Sequence, residues 1–190
     1  MRVLFASSEA HPLIKTGGLA DVAGALPPVL QSLDCDMRLV IPAYPEAKKA
    51  LKQAKIVSHF YLPGVAGQVV IKEGVLPYTQ CKVWLVDYPP AFARRGNPYL
   101  GDDGEPWPDN AERFALFSRS IAALAMDQAG LNWKAEIVHC NDWQTALAPA
   151  LLSLEGYDRP ATLFTIHNLA YQGLFPAQSS INLGIPESLW

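Results

Sequence analysis

Lys15-Thr16-Gly17-Gly18-Leu19-Ala20-Asp21-Val22 lies between two segments of different character. Before it, Arg2-Val3-Leu4-Phe5-Ala6-Ser7 is a short apolar run that breaks into polar residues, the pattern of a buried strand. After it, Leu19 to Leu33 reads as a helix. A glycine pair and a lysine therefore occupy the turn between the first strand and the first helix of an α/β unit. Glycine lets backbone approach a ligand closely, and a helix N-terminus offers unpaired N–H groups and a partial positive charge. Such a loop suits an anion, phosphate above all. The alternative is a plain tight turn with Lys15 pointing into water. Neither common phosphate motif is present. A Walker loop needs Gly directly before Lys, where this chain has Ile14, and Gly17, Gly18 and Gly24 do not give the Gly-x-Gly-x-x-Gly spacing of a dinucleotide fingerprint.

Downstream, Met37 to Pro42 reads as a second strand and Glu46 to Gln53 as a short, Lys-rich surface helix. Pro27-Pro28 is expected to kink or split the first helix, because proline removes a donor and clashes one turn back. The pattern then changes. Ile56 to Leu62, Gln68 to Leu76 and Lys82 to Val86 are strand-like runs with no helices between them, which predicts hairpin additions to a parallel sheet. From Tyr88 to Pro108 a proline- and glycine-rich loop carries Arg94, Arg95, Asp102, Asp103 and Glu105, and reads either as a functional loop or as a disordered excursion. Asp109 to Gln128 is the clearest helix, with Asp109 and Glu112 spaced as a capping box, an apolar face of Phe114, Phe117, Ile121, Leu124 and Ala125, and Gly130 at its end.

Two further strands end in polar residues. Glu136 to Cys140 stops at Asn141-Asp142-Trp143, where Asn141 or Asp142 is placed to cap a helix running to Leu154; Ala161 to Ile166 stops at His167-Asn168. In an open parallel sheet, ligands bind outside the carboxyl ends of the strands. Ser7-Ser8-Glu9 leading to Lys15, His139 to Asp142, and His167-Asn168 are therefore expected to converge on one cleft. For His139 the structural reading, a histidine satisfied by a backbone partner, leads. Asp142 reads equally as a cap or a site carboxylate, and His167 as a functional group ahead of a satisfied buried one.

Composition bounds the function. With 190 residues, 50% hydrophobic and 17% charged, the chain can bury one sizeable core. A formal net charge of −3 gives no basic footprint for nucleic acid. Cys35, Cys81 and Cys140 are widely spaced, odd in number and without a Cys-x-x-Cys pair, as expected of reduced thiols in a cytoplasmic protein without zinc. The chain opens into a strand with no basic-then-apolar leader, and no apolar run reaches transmembrane length, so no membrane is expected as a partner.

Several stretches carry a resemblance. Lys-Thr-Gly-Gly-Leu-Ala-Asp-Val after a strand ending Ser-Ser-Glu resembles the signature of bacterial glycogen synthases and plant starch synthases. His139-Cys140-Asn141-Asp142-Trp143-Gln144-Thr145 is similar to the family's His-x-His-Asp-Trp-Gln-Thr, with Asn141 in place of the second His. Residues 165–173, Thr-Ile-His-Asn-Leu-Ala-Tyr-Gln-Gly, match the family throughout. Phe92-Ala93-Arg94-Arg95-Gly96-Asn97-Pro98-Tyr99 is similar to a sugar-contacting Tyr-Asp-Arg-Pro-Gly-Asn-Pro-Tyr loop, with Phe92 and Ala93 replacing Tyr and Asp. The resemblance runs from Arg2 to about Phe175 and weakens towards Trp190.

The resemblance implies an α/β fold, the Rossmann-like N-terminal domain of a GT-B glycosyltransferase, with a mostly parallel sheet and a strand-rich insertion. It implies transfer of glucose from ADP-glucose to the non-reducing end of an α-1,4-glucan, with retention and with neither metal nor cofactor. Lys15, Gly17 and Gly18 would hold the diphosphate and sugar, Asp21 would orient the loop or cap its helix, and His167 would be the catalytic residue aligning the donor glucose. Asp142, Asn168 and Tyr99 complete the expected substrate contacts. A whole family member is more than twice as long, and adds a second Rossmann-like domain whose Arg, Lys and Glu complete the donor site. Pro186 to Trp190 reads as the first turn of a helix. The expectation is one truncated N-terminal domain over residues 1–190, lacking that second domain and inactive alone. The alternatives are a non-catalytic sugar- or nucleotide-binding half-domain and an NAD-dependent oxidoreductase on a doubly wound fold.

Overall fold

The computed structural model describes residues 1–179 and 183–189. Val3, Leu4, Phe5 and Ala6 are all buried, as a central strand covered on both faces requires, and Arg2–Ala6 forms β1. The chain continues through α1 (Gly18–Ser32), β2 (Asp36–Pro42), α2 (Pro45–Ala50), β3 (Lys55–Phe60), β4 (Val69–Val75), β5 (Lys82–Asp87), α3 (Pro89–Phe92) and α4 (Asn110–Ala125). It closes with β6 (Ile137–Asn141), a 3₁₀ turn over Trp143–Thr145, α5 (Leu147–Leu152), β7 (Ala161–Thr165) and 3₁₀ turns at Gly156–Asp158 and Glu187–Leu189. The expected helical turn at 186–190 is that last 3₁₀ turn, with Trp190 itself outside the described residues.

All seven strands form one sheet in the order β3-β4-β5-β2-β1-β6-β7. The five strands from β5 to β7 are parallel, while β4 runs antiparallel to β5 and β3 antiparallel to β4. The strand-rich insertion is therefore an antiparallel extension at the β5 edge, as the helix-free runs predict. Strand order reverses between β1 and β6: the chain leaves β1 towards β2, and later returns to β1's other side. At such a reversal the loops after neighbouring strands diverge and open a crevice above their carboxyl ends. The register places Ala6 beside Cys140, and Asn141 beside Thr165, so three strand ends reach the same level.

Local expectations fare unevenly. The prolines do not split α1, which runs from Gly18 to Ser32 with both inside it, held by the burial of Leu19, Ala20, Ala23 and Pro27. Tertiary packing outweighs the missing donors. The capping box at Asp109 does not form; that carboxylate turns to the Arg94 guanidinium instead, which holds its pKa below the usual carboxylate value. Nor do Asn141 or Asp142 cap a helix to Leu154. A 3₁₀ turn and the short α5 stand there, because both side chains are engaged elsewhere and Asp142 adopts φ 57°, ψ 176°, outside cap geometry.

The loop from Tyr88 to Pro108 is ordered rather than a disordered excursion. Buried Arg113 of α4 donates from Nε to the Ala91 carbonyl at 2.7 Å, and from Nη1 to the Pro98 carbonyl at 2.8 Å and Asn110 Oδ1 at 2.7 Å. Phe92 is fully buried, edge-on to Tyr44 and Phe117, so the departure from the family's Tyr places a ring in the core. His139 lies beneath the strand ends, edge-on to Phe5 at 4.6 Å with Nε2 at 2.8 Å from Thr165 Oγ1. Its partner is a side-chain hydroxyl, not the expected backbone group. Burial first, and then the nearby His167, lower its pKa below 6.5.

Two stability measurements follow. Gly24 has no room for a side chain, since a Cβ there would stand 2.3 Å from the His11 carbonyl oxygen. Gly24→Ala should therefore lower the urea midpoint by about 1–3 kcal/mol of stability, against the helix-propensity gain of about 1 kcal/mol. An unchanged or raised midpoint would refute the contact. For His139, the unfolded chain gains a proton below pH 6.5 that the folded chain refuses. Stability is thus full above that value and declines as pH falls towards the depressed folded value, by at most about 1.4 kcal/mol per pH unit. Denaturation at pH 7.5 and 5.5 should show a smaller loss in His139→Gln than in the wild type.

Candidate functional site

The loop between β1 and α1 is built around Glu9. Though only 3% exposed, its carboxylate is well satisfied: Oε2 accepts the N–H groups of Thr16 at 2.5 Å and Gly17 at 3.3 Å, and Oε1 accepts the Thr16 hydroxyl at 2.8 Å. A buried carboxylate needs such partners, and here they are the amides of the glycine loop itself. This corrects the simplest picture of that loop, because two of its N–H groups are already given to an internal anion. What stays open is the end of α1, where Gly17 is the N-cap and makes no side-chain cap hydrogen bond.

Lys15 and Asp21 pair above this loop, with the ammonium 2.7 Å from both carboxylate oxygens. Both side chains are about half exposed, at 48% and 56%. An exposed pair of this kind contributes only about 0–1 kcal/mol, so an incoming anion can take the lysine over at little cost. Asp21 does not cap α1. Gly17 and Gly18 are exposed, neither has a positive φ, and a Cβ on either would meet nothing within 4 Å. The folded chain therefore gives no steric reason for glycine at either position.

Across β6 stands the second half of the site. Asp142 donates its backbone N–H to the Thr165 carbonyl at 2.9 Å, and its Oδ1 accepts the backbone N–H of His167 at 2.7 Å. These contacts hold Asp142 in a backbone region that disfavours any side chain, a form of strain found at functional sites. The His167 ring is half-buried, with Nε2 2.9 Å from Asn141 Oδ1. Asn141 is fully buried and donates from Nδ2 to the Ala6 carbonyl at 3.0 Å and the His139 carbonyl at 3.2 Å, tying β6 to the end of β1. Asn168 is exposed and spends its side-chain oxygen on the Ala170 N–H within its own turn. The ends of β1 and β7 flank β6, two strand spacings or roughly 10 Å apart.

Tyr99 joins the third element. Its hydroxyl lies 2.7 Å from Ser8 Oγ and 3.0 Å from Glu9 Oε1, and burial raises its pKa. That hydroxyl is engaged in holding the Tyr88–Pro108 loop against the end of β1, so Tyr99 works as an anchor. The anchored loop and the glycine loop together enclose an open cleft of about 820 Å³, lined among others by Lys15, Thr16, Glu46, Lys49 and Asn97. His167 and Asp142 stand outside that cleft, on the β6–β7 side.

Sequence reasoning missed Glu9 and Asn141 as organisers. Glu9 was detectable in principle, because an acid three residues beyond the end of a buried strand must find partners if it too is buried. Asn141 stood out as a candidate helix cap and as a mismatch to the family pattern, neither of which points to the His167 ring. Burial pushes the thiols of Cys81 and Cys140 up, to about 11 and about 12, so both are protonated near neutral pH. Among the described residues no group of three His, Cys, Asp or Glu side chains is placed to hold a metal, and no helix is long and apolar enough to cross a membrane.

Comparison with known proteins points one way. The family model described as the starch synthase catalytic domain matches residues 2–190. Glycogen synthase 1 of Methylococcus capsulatus is 52% identical over 190 residues, covering 100% of this chain and 38% of that protein. Glycogen synthase of Cellvibrio japonicus is 53% identical, covering 99% of this chain and 39% of that protein. Among solved structures, the catalytic domain of starch synthase IV from Arabidopsis thaliana, bound to ADP and acarbose, superposes with a TM-score of 0.77 at 29% identity. The superposition covers 97% of this chain and 37% of that one. The chain thus spans under two fifths of the length of these relatives. With its whole length matched and its α/β architecture shared, this chain belongs to the starch synthase catalytic-domain family.

Proposed function

We propose that these 190 residues form one wall of the active site of a glycogen (starch) synthase, which transfers glucose from ADP-glucose to the non-reducing end of an α-1,4-glucan with retention. The observation that carries this reading is the exposed Gly17-Gly18 pair. Glycine there costs conformational entropy and returns nothing to the fold, which is understandable if a ligand must approach the backbone closely. The Arabidopsis relative, whose structure holds ADP and acarbose, supports a nucleotide-sugar donor and a glucan acceptor for this family.

In this reading the diphosphate of the donor sits at the open N-terminus of α1. Lys15 leaves Asp21 for the phosphate, and the free amides of the first helical turn complete the cradle. As the bond from the anomeric carbon to the phosphate oxygen breaks, negative charge grows on the leaving diphosphate. A preorganised ammonium and N–H dipoles stabilise it there, the electrostatic role that most lowers such barriers. His167 lines the sugar end of the gap and Asp142 fixes its backbone. The Tyr99 loop and the adjoining cleft border the acceptor side. One wall buries only part of a donor, so the 190 residues are expected to bind weakly and to transfer nothing alone. In this reading the chain is the N-terminal domain of a cytoplasmic, two-domain GT-B enzyme.

Ligand-detected NMR with ADP-glucose tests the assignment. Lys15→Ala should weaken binding roughly tenfold or more, since a charge-assisted contact to phosphate is lost; equal signal from both proteins would move the site elsewhere. Gly17→Ala and Gly18→Ala make the sharper pair. Each should leave the urea midpoint unchanged or raise it by up to about 1 kcal/mol, while reducing ADP-glucose binding. If either variant unfolds the chain, the glycines serve the fold after all. Robust glucan elongation by the purified chain would show that one wall suffices.

A further inference from the structure

The hydrogen bonds around Asn141 leave little freedom to the ring beside it. Nδ2 lies 3.0 Å from the Ala6 carbonyl and 3.2 Å from the His139 carbonyl, and both of those oxygens can only accept. The amide must therefore present its NH₂ group to them, since the flipped orientation would press an oxygen against two oxygens inside a fully buried site. Its Oδ1 is then the atom 2.9 Å from His167 Nε2. An amide oxygen accepts only, so Nε2 must carry the hydrogen. A neutral imidazole holds one N–H hydrogen, and Nδ1 is left with a lone pair.

We propose that Asn141 is a positioning residue that locks neutral His167 as the Nε2–H tautomer, making Nδ1 an obligate acceptor for a hydroxyl of the bound sugar. The neighbouring groups are already committed. His139 Nε2 lies against the Thr165 hydroxyl, with burial favouring its neutral form, and the Asp142 carboxylate takes the His167 backbone N–H. Neither competes for the ring. A hydroxyl that donates to Nδ1 is held in one direction, so the tautomer would orient the sugar as well as bind it. The sugar half of this inference rests on the donor-site reading above, whereas the tautomer is a property of the free chain.

Long-range ¹H–¹⁵N correlation spectra of the ¹⁵N-labelled chain at pH 8 read the tautomer directly. His167 should show a protonated Nε2 and an unprotonated Nδ1 with no detectable second form. A mixture, or protonation at Nδ1, would overturn the lock. Asn141→Ser should restore a mixture of tautomers while the amide fingerprint stays folded. If Asn141→Ser fails to fold, the wild-type spectrum still decides, because a mixed or Nδ1-protonated ring there overturns the lock by itself. On adding ADP-glucose, Nδ1 should shift as an acceptor does while Nε2 stays in place. An unmoved Nδ1 alongside shifted amides at Gly18 and Leu19 would remove the hydroxyl contact and leave the donor site standing. No shift at either place would defeat the donor-site reading, with the tautomer result still independent of it.

Discussion

Three separate pieces of chain converge on the carboxylate of Glu9. It follows β1, takes two backbone amides and a hydroxyl from the Lys15–Gly17 loop, and reaches Tyr99 in the long loop before α4. Burying a carboxylate without partners would cost several kcal/mol, so the loops gain their geometry by supplying those partners. The result is a rigid rim around an open helix end. The glycine loop thus has its shape before any ligand arrives, which reduces what binding must spend on ordering it.

Beneath the rim, the sheet decides what can face what. Five parallel strands bring the ends of β1, β6 and β7 to one level, and the reversal of strand order between β1 and β6 opens the crevice above them. Asn141 extends the arrangement downward and sideways at once, bonded to the Ala6 carbonyl on one side and to the His167 ring on the other. The imidazole therefore hangs from a framework of backbone and buried amide that also reaches the end of β1.

Much of this was legible beforehand, for definite reasons. The apolar run of β1 and the helix-free series of β3 to β5 follow from hydrophobic patterning, which burial enforces. The glycine loop stood out because Gly-Gly beside Lys is costly without a purpose. Other features were not legible. Asp109 has the spacing of a capping residue, yet Arg94, distant in sequence, competes for the same carboxylate and wins. Asp142 has the chemistry of a helix cap, yet the arrival of β7 offers it a better donor in the His167 backbone. The Tyr99 hydroxyl, expected at the sugar, is turned inward to Ser8 and Glu9.

The amino-acid sequence by itself determined the α/β class, the strand-rich edge and the family, since periodicity and contiguous motifs are local properties written along the chain. It also determined which residues stand at the strand ends. Only the tertiary structure decided how those residues are engaged: that Glu9 holds the loop amides, that Lys15 rests on Asp21, and that Asn141 faces His167. The reason is competition. A buried polar group takes the partner that the packed fold brings within reach, and for Asn141 the parallel pairing of β1 and β6 brings the Ala6 carbonyl, 135 positions away in the chain.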